Sequence, residues 1–229
     1  MTKSLKKETK AKEIMEGEDM VSSETERVRR IYDKSAGWYD RMIGFSEKLL
    51  FREGRAWVCS QAQGDVLEIA VGTGLNLPYY PERVRLTGVE LSPVMLEVAQ
   101  ARARELGIEA DLRVGDAQTL EFADESFDTV VFTLSLCTIP DDRKAVAEAY
   151  RVLRPGGRFL LLEHVRSTRP HMRAVQSALN PLAVRFQADH MLREPLDHLI
   201  EVGLEVERLE RSRWGIVERV SARKRYEPG

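Results

Sequence analysis

Three acidic side chains lie within, at the end of or just after apolar segments that are predicted to be strands. Glu68 lies within DVLEIA, Glu90 ends VRLTGVE, and Asp116 follows ADLRVG. In a parallel α/β sheet the carboxyl ends of such strands meet at one edge, where ligands bind. A carboxylate there can accept hydrogen bonds from both hydroxyls of a ribose, and another can accept from an adenine amine. Each acid alone also fits a helix cap or a surface position, but together they predict a binding site.

A glycine turn follows the first of these segments. Gly72 and Gly74 satisfy two positions of the G-x-G-x-x-G pattern of dinucleotide-binding folds, but Leu77 occupies the third. Glu68 precedes the turn by four residues and would repel a pyrophosphate, whereas it suits a ligand with positive charge or amine donors. The pattern disfavours a nicotinamide cofactor, so a nicotinamide-dependent oxidoreductase is the less favoured alternative.

The elements that must position these residues alternate between apolar strands and amphipathic helices. Predicted strands are 65–70, 84–90, 110–115, 127–134 and 158–164, with helices near 75–79, 92–107 and 140–154. This alternation implies right-handed crossovers and a parallel sheet covered on both faces. Helices near 170–187 and 192–202 then precede two closing strands, 204–212 and 215–224. The short connection between the closing strands requires them to be antiparallel to each other.

Charged and helical segments precede the sheet. Residues 1–21 have mixed charge and few large apolar residues, which is typical of a disordered or loosely helical leader. Residues 22–60 show helical spacing and contain glycines that predict two or three short helices: Gly37, Gly44 and Gly54. We expect this segment to form a helical lid over the site.

Composition limits the possible functions. The 229 residues suit one domain, and the net charge of −2 gives no basic field for nucleic acid. No secretory signal and no apolar run of about 20 residues is present, which predicts a cytoplasmic protein. Cys59 and Cys137 lack the spacing of a metal site or a disulfide framework, so no metal is expected. Nothing in the sequence indicates the oligomeric state.

Several motifs resemble those of class I S-adenosylmethionine-dependent methyltransferases, over about residues 28–224. EIAVGTG is similar to the family motif E-x-G-x-G-x-G, with Ala70 replacing the first glycine by a residue of similar size. FDTVVFTLSLCTIPD and RVLRPGGRFLLLEHV resemble the fourth motif and the fifth strand, the latter typical of enzymes that methylate small molecules. IYDKSAGWYDRM is similar to quinone- and phospholipid-methylating members, whereas LCTIP with EHV resembles thiol methyltransferases.

The resemblance implies a fold, a cofactor and a set of binding residues. The fold is α/β: a Rossmann-like, doubly wound, mostly parallel seven-stranded sheet with an antiparallel final strand. The methyltransferase core would be 61–229, with substrate helices at about 170–202. The cofactor would be S-adenosyl-L-methionine. Its implied contacts are Tyr32, Tyr39, Glu68, Ala70, Gly72, Gly74, Asn76, Glu90, Leu91, Met95, Asp116, Ala117, Gln118, Thr133 and Leu134.

The resemblance leaves the acceptor open. Candidate catalytic residues are Tyr39, His164 and His190, although each also fits a purely structural role. The ring of His190 could be oriented by the preceding Asp189 or by another group. Expected pocket residues are apolar, namely Leu136, Ile139, Met172, Leu179 and Phe186, with Cys137 on the wall. They favour a small apolar or amphipathic acceptor: a thiol, a phenol or quinol, or an amine such as a phospholipid headgroup.

Two further points stay open in the sequence. Arginines between residues 166 and 193 fit a solvated helix face, an anion site or weak contact with a membrane surface. A regulatory or interaction protein that binds the cofactor without transferring methyl groups is the alternative function.

Overall fold

The computed structural model describes residues 2–46, 50–51, 53–212 and 214–226, except for the side chains of 2–19, 45–46 and 212. The helices are α1 (Thr2–Ser46), α2 (Gly54–Cys59), α3 (Pro93–Leu106), α4 (Asp142–Val152), α5 (Pro170–Gln187) and α6 (Pro195–Glu201), with a 3₁₀ turn at Leu77–Tyr79. The strands are β1 (Asp65–Ile69), β2 (Arg85–Glu90), β3 (Ala110–Val114), β4 (Phe127–Thr133), β5 (Leu153–His164), β6 (Leu204–Ser212) and β7 (Val217–Lys224). None of the helices in these ranges is both long enough and apolar enough to cross a lipid bilayer.

The strands form one seven-stranded sheet in the order β3-β2-β1-β4-β5-β7-β6. β1 to β5 are parallel, and β7 lies antiparallel between β5 and β6. The predicted fold class is therefore confirmed, including the antiparallel final strand. β1, β2 and β3 are neighbours, so the carboxyl ends that carry the three acids meet at one edge of the sheet.

The central strands are buried on both faces, as expected for a sheet with helices on either side. Alternate residues of each strand contribute to two hydrophobic clusters, one containing Leu67 and Phe132 and the other containing Val66 and Val131. α4 packs into the first cluster through Ala145, Val146 and Ala149, and α2 packs into the second through Val58 and Cys59. This packing fixes the strand ends against rigid layers.

Most strand boundaries lie within two residues of the prediction, but the start of one strand differs by five. β5 begins at Leu153 instead of residue 158 because Leu153 already pairs with Phe127 of β4. The register then shifts before Arg158 pairs with Thr129. The Pro-Gly-Gly segment, which suggests a turn in the sequence, is thus an irregularity within the strand.

The prediction that Gly37 and Gly44 divide the N-terminal segment into short helices is wrong, because α1 is continuous to Ser46, whereas a separate helix, α2, does begin at the third glycine, Gly54. Glycine inside a helix costs only about 1 kcal/mol relative to alanine, and Gly37 and Gly44 do not end the helix. Packing compensates for this cost, since Val28 and Ala36 are buried. The predicted boundary at residue 22 lies within α1, and the leader's side chains mostly lie outside the described residues. The division into leader and lid therefore stays a prediction.

Candidate active site

A cavity lies at the carboxyl ends of β1, β2 and β3, and we call it the strand-end cavity. Residues predicted to bind the cofactor make up much of its wall: Tyr32, Tyr39, Glu68, Ala70, Gly72, Glu90, Leu91, Met95, Asp116, Ala117, Thr133 and Leu134. They come from α1, from the ends of β1, β2 and β4, from the loops that follow β1 to β4, and from the first turn of α3. The sequence pattern thus selected residues that the fold brings to one place.

Three of the predicted contact residues lie outside the cavity wall. Asn76 is fully buried and accepts a hydrogen bond from Arg55 (2.8 Å) while its amide donates to Glu68 Oε1 (2.8 Å). Gln118 is also buried, and its amide nitrogen donates to the carboxylate of Asp116. Both therefore position a cavity carboxylate. The third is Gly74.

The turn after β1 holds three residues in the left-handed region of backbone conformation. Their φ angles are +58° at Ala70, +58° at Gly72 and +79° at Gly74. A residue with a Cβ costs about 1 kcal/mol or more in this region, so Ala70 carries strain that a glycine would not. Gly74 faces α3 instead of the cavity: a Cβ there would lie 2.8 Å from Leu77 Cδ1 and 3.2 Å from Ala99.

We expect Gly74→Ala to lower the free energy of unfolding by about 1–3 kcal/mol, because it adds both backbone strain and overpacking. Gly72→Ala is the matched control, since its Cβ meets nothing within 4 Å. Strain alone should make it cost only about 1 kcal/mol. Denaturant unfolding of both variants measures the difference. Equal losses would show that the contact with α3 is unimportant.

Glu68 is a buried carboxyl group in a polar network. Its Oε1 accepts from Asn76, whose amide also donates to Thr133 Oγ1 (2.9 Å). Its Oε2 is buried, and so is the hydroxyl group of the nearby Tyr80. Burial raises the pKa of Glu68 to about 7 against the hydrogen bonds from Tyr80 and Asn76, which favour the charged form. The group can therefore gain a charge when a cationic ligand binds.

Glu90 ends β2 and organises the backbone on both sides of the cavity. Its Oε2 accepts from the N–H of Gly72 and its Oε1 from the N–H of Ser92, both at 2.9 Å. Burial raises its pKa, although these backbone hydrogen bonds oppose the shift. Ser92 also caps α3 by accepting from the N–H of Met95 (3.1 Å), which fixes where that helix begins.

α1 crosses the loops that follow β1, β2 and β3. Side-chain hydrogen bonds join Thr73 to Asp40 (2.6 Å), Ser92 to Asp33 (2.6 Å) and Gln118 to Thr25 (3.0 Å). Arg102 of α3 forms an ion pair with Asp40 as well. One helix is thus tied to all three loops of the strand-end cavity.

A second cavity lies between α1 and α5, and we call it the helix-side cavity. Its volume is about 670 Å³. Most of its wall is apolar and includes Ile31, Trp38, Met42, Phe51, Met172, Val175, Leu179 and Phe186. Of the other residues expected in an acceptor pocket, Ile139 lines the strand-end cavity and Leu136 is fully buried in the core.

The two cavities adjoin. Tyr32, Tyr39, Leu134 and Thr138 line both of them. The rings of Tyr32 and Tyr39 pack edge to face, with centroids 6.2 Å apart. A group held in one cavity can therefore meet a group held in the other beside these rings.

His164 lines the helix-side cavity at the end of β5. Its Nε2 lies 3.0 Å from Asp189 Oδ1 and 3.9 Å from Glu163 Oε1. Cys137 lies close to this pair. Its Sγ, a ring nitrogen of His164 and a carboxylate oxygen of Asp189, which are atoms able to coordinate a metal ion, all lie within 4.8 Å of one another. Partners for Cys137 could not be predicted from the sequence, because these residues are far apart along the chain.

His190 lies outside the walls of both cavities. Its backbone N–H donates to the carbonyl oxygen of Cys137 (2.9 Å), and partial burial with the charge of Arg193 lowers its pKa. Asp189 does not orient the His190 ring as the sequence suggested; it contacts His164 instead. The side chains of Asp189 and His190 point in different directions although the residues are adjacent along the chain, which a sequence cannot show.

Comparisons with known proteins agree with this geometry. A family model described as a methyltransferase domain matches residues 67–161. The phosphatidylethanolamine N-methyltransferase of Cereibacter sphaeroides is 38% identical over 158 residues, which span 68% of this chain and 77% of the relative. The ubiquinone/menaquinone biosynthesis C-methyltransferase UbiE of Desulfotalea psychrophila is 38% identical, with 64% and 61% covered. The human thiol S-methyltransferase TMT1A is 32% identical, with 56% and 53% covered.

A solved structure shows the same fold. The S-adenosylmethionine-dependent methyltransferase TM1293 of Thermotoga maritima matches with a TM-score of 0.64 and 22% identity, covering 86% of this chain and 99% of that one. The described part of the chain thus shares its fold with that structure.

Proposed function

Because the chain belongs to the class I S-adenosylmethionine-dependent methyltransferases, we propose that it methylates a small acceptor with a large apolar body. The donor would occupy the strand-end cavity, and the acceptor would occupy the helix-side cavity. The observation that supports this most directly is that Tyr32, Tyr39, Leu134 and Thr138 line both cavities. A nucleophile on one side would then face a methyl group on the other, as an in-line displacement requires.

The residues of the strand-end cavity fit this cofactor, which supplies a methyl group already activated as a sulfonium. Glu68 is a buried carboxyl group whose pKa is raised to about 7, so it can gain the negative charge that suits a cationic ligand. Glu90 would accept from the ribose hydroxyls, and Asp116 with Ala117 would bind the adenine edge. Tyr39 would contact the sulfonium with its ring, an interaction worth about 0.5–2 kcal/mol when desolvated.

The affinity for S-adenosylmethionine should increase as the pH rises through about 7. Glu68 has its pKa raised to about 7, so it is mostly neutral below that pH and attracts a cation more strongly above it. Calorimetric titrations between pH 6 and 8 test this, and binding should release protons. The control is Glu68→Gln, in which the pH dependence should be lost. A wild-type affinity that is constant over this range would contradict the proposed role.

The acceptor's apolar body is supported by the helix-side cavity and by the surface beside it. One face of α5 exposes Val175, Leu179, Leu182 and Phe186, each at least 49% accessible. The segment 166–187 contains four arginines and no acidic residue. This face gives an amphipathic acceptor an apolar approach to the cavity, including one held at a lipid surface. Cytoplasmic location stays a prediction.

A methyl-transfer panel tests the proposal. Labelled S-adenosylmethionine would be offered with thiols, phenols, quinols and amines that carry apolar bodies of graded size. Transfer that improves with apolar size is expected, because apolar burial contributes about 25 cal/mol per Å². Cofactor binding without transfer to any acceptor would favour the regulatory alternative instead.

A further inference from the structure

The helix-side cavity has a polar end formed by His164 and Asp189. Both side chains are largely buried, with 18% and 22% exposed, and both line the cavity. His164 Nε2 lies 3.0 Å from Asp189 Oδ1, which is an ion-pair distance for a protonated imidazole. An imidazole and a carboxylate thus meet where an apolar acceptor would present its polar atom.

The groups around this pair have defined positions. On β5, Glu163 is fully buried; its Oε1 accepts from the N–H of His164 (3.0 Å) and its Oε2 from that of Ser135 (2.9 Å). Cys137 and Tyr32 face the pair from the loop after β4 and from α1, and burial raises the pKa of both. Arg193 contacts the same loop, where its guanidinium donates to the carbonyl oxygen of Ile139 (2.6 Å).

These surroundings keep a proton on the imidazole. Burial alone would lower the pKa of His164, but the close contact with Asp189 and the charges of Asp189 and Glu163 outweigh it and raise the pKa to about 9. At neutral pH His164 is then a cation held in place by Asp189. A protonated imidazole is a poor proton acceptor. The role of general base, which the position of His164 suggested, therefore does not fit this residue.

We propose that the His164–Asp189 pair binds the reacting atom of the acceptor as an anion, so that the acceptors are thiols or phenols. This inference rests on the proposed methyl transfer and narrows its substrate class. An amine must be neutral to attack the methyl carbon, and a fixed imidazolium gives a cationic ammonium no stabilisation. A thiolate or phenolate, in contrast, gains a favourable charge interaction in a largely apolar cavity.

The step balances as follows. The S–H or O–H bond of the acceptor breaks and its proton passes to solvent, since His164 already carries one. The anion's electron pair forms the new bond to the methyl carbon. The bond between that carbon and the sulfonium sulfur breaks, and its electron pair stays on sulfur as a neutral thioether. One proton is released in each turnover.

The ionisation of a bound probe tests the inference without turnover. We would saturate the protein with S-adenosylhomocysteine, add 4-nitrophenol or 4-nitrothiophenol, and follow the visible absorbance of the anion against pH. The pKa of the bound probe is expected to fall by about one unit or more, as for a group beside an opposite charge. In His164→Gln it should return to the value of the free probe, and in Asp189→Asn the fall should be smaller.

A second histidine provides the matched control. His198 also lies near two carboxylates, with Nε2 3.5 Å from Asp142 and Nδ1 3.5 Å from Glu201, but it lines neither cavity. His198→Gln should leave the probe's shift unchanged. Retained binding of S-adenosylhomocysteine would establish that each variant is folded.

Four outcomes would overturn the inference: an unshifted probe in the unaltered protein, a full shift in His164→Gln, loss of the shift in His198→Gln, or loss of the shift on adding a chelator. The last would assign the anion to a metal held by Cys137, His164 and Asp189. Methyl transfer to amines alone would refute this inference and leave the proposed function intact. Failure of every acceptor in the panel would instead refute the proposed function.

Discussion

Replacing Glu90 with alanine should weaken S-adenosylmethionine binding at least tenfold. The carboxylate is 7% exposed at the end of β2 and accepts from the backbone N–H groups of Gly72 and Ser92. If it also accepts from ribose hydroxyls, each charge-assisted bond contributes about 1.5–3 kcal/mol. Loss of one such bond already corresponds to about tenfold in affinity. Calorimetric titration measures the change directly.

Two variants separate binding from folding in this experiment. Glu90→Gln keeps the shape of the side chain and one acceptor oxygen. Its affinity for S-adenosylmethionine should therefore lie between those of the unaltered protein and Glu90→Ala. Glu97→Gln removes a carboxylate from the exposed face of α3 and should leave affinity unchanged. An unaltered affinity in a folded Glu90→Ala protein would show that the ribose lies elsewhere.

Deleting residues 1–45 should abolish methyl transfer, whereas deleting residues 1–20 should hardly affect it. The longer deletion removes Asp33 and Asp40, which tie α1 to the loops after β2 and β1, and it removes Tyr32 and Tyr39 from both cavities. Water would then reach the methyl group and the acceptor would lose one wall of its site. Transfer assays on both truncated proteins measure the effect.

The longer truncation would also lose activity if the remaining protein failed to fold. A point substitution that leaves the whole chain in place provides the control. Asp40→Asn keeps every helix but weakens the contacts with Thr73 and Arg102. We expect faster hydrogen exchange in residues 22–46 of this variant, and slower exchange in the unaltered protein when S-adenosylhomocysteine is bound. Equal exchange with and without that ligand would identify α1 as fixed scaffold, and full activity of the longer truncation would exclude it from the acceptor site.

The sheet could be predicted because its signals are local. Apolar strands buried on both faces alternate with capped helices, as at Ser92 and Gly107, which begin and end α3 where the sequence predicts. The acids at strand ends were found for the same reason: their position follows from the strand that precedes them. Ala70 was recognised as a departure from the family motif that is conservative in size, but its positive φ depends on the folded turn.

Contacts between distant residues could not be predicted in this way. The ties of α1 through Asp33 and Asp40 join residues that share no periodicity with their partners. The pairing of His164 with Asp189 depends on how the chain returns after α5, and the sequence suggested His190 as the partner instead. The continuity of α1 was missed because packing outweighs the local cost of two glycines.

The path of α1 across three loops has a consequence for the order of events in catalysis. The donor would lie beneath this helix, whereas the acceptor's cavity opens beside the exposed face of α5. We therefore expect an ordered kinetic mechanism in which the donor binds first and its demethylated form leaves last. The methylated product would depart while the spent donor is still enclosed. An acceptor with several sites would then receive one methyl group per encounter, and partially methylated products would accumulate.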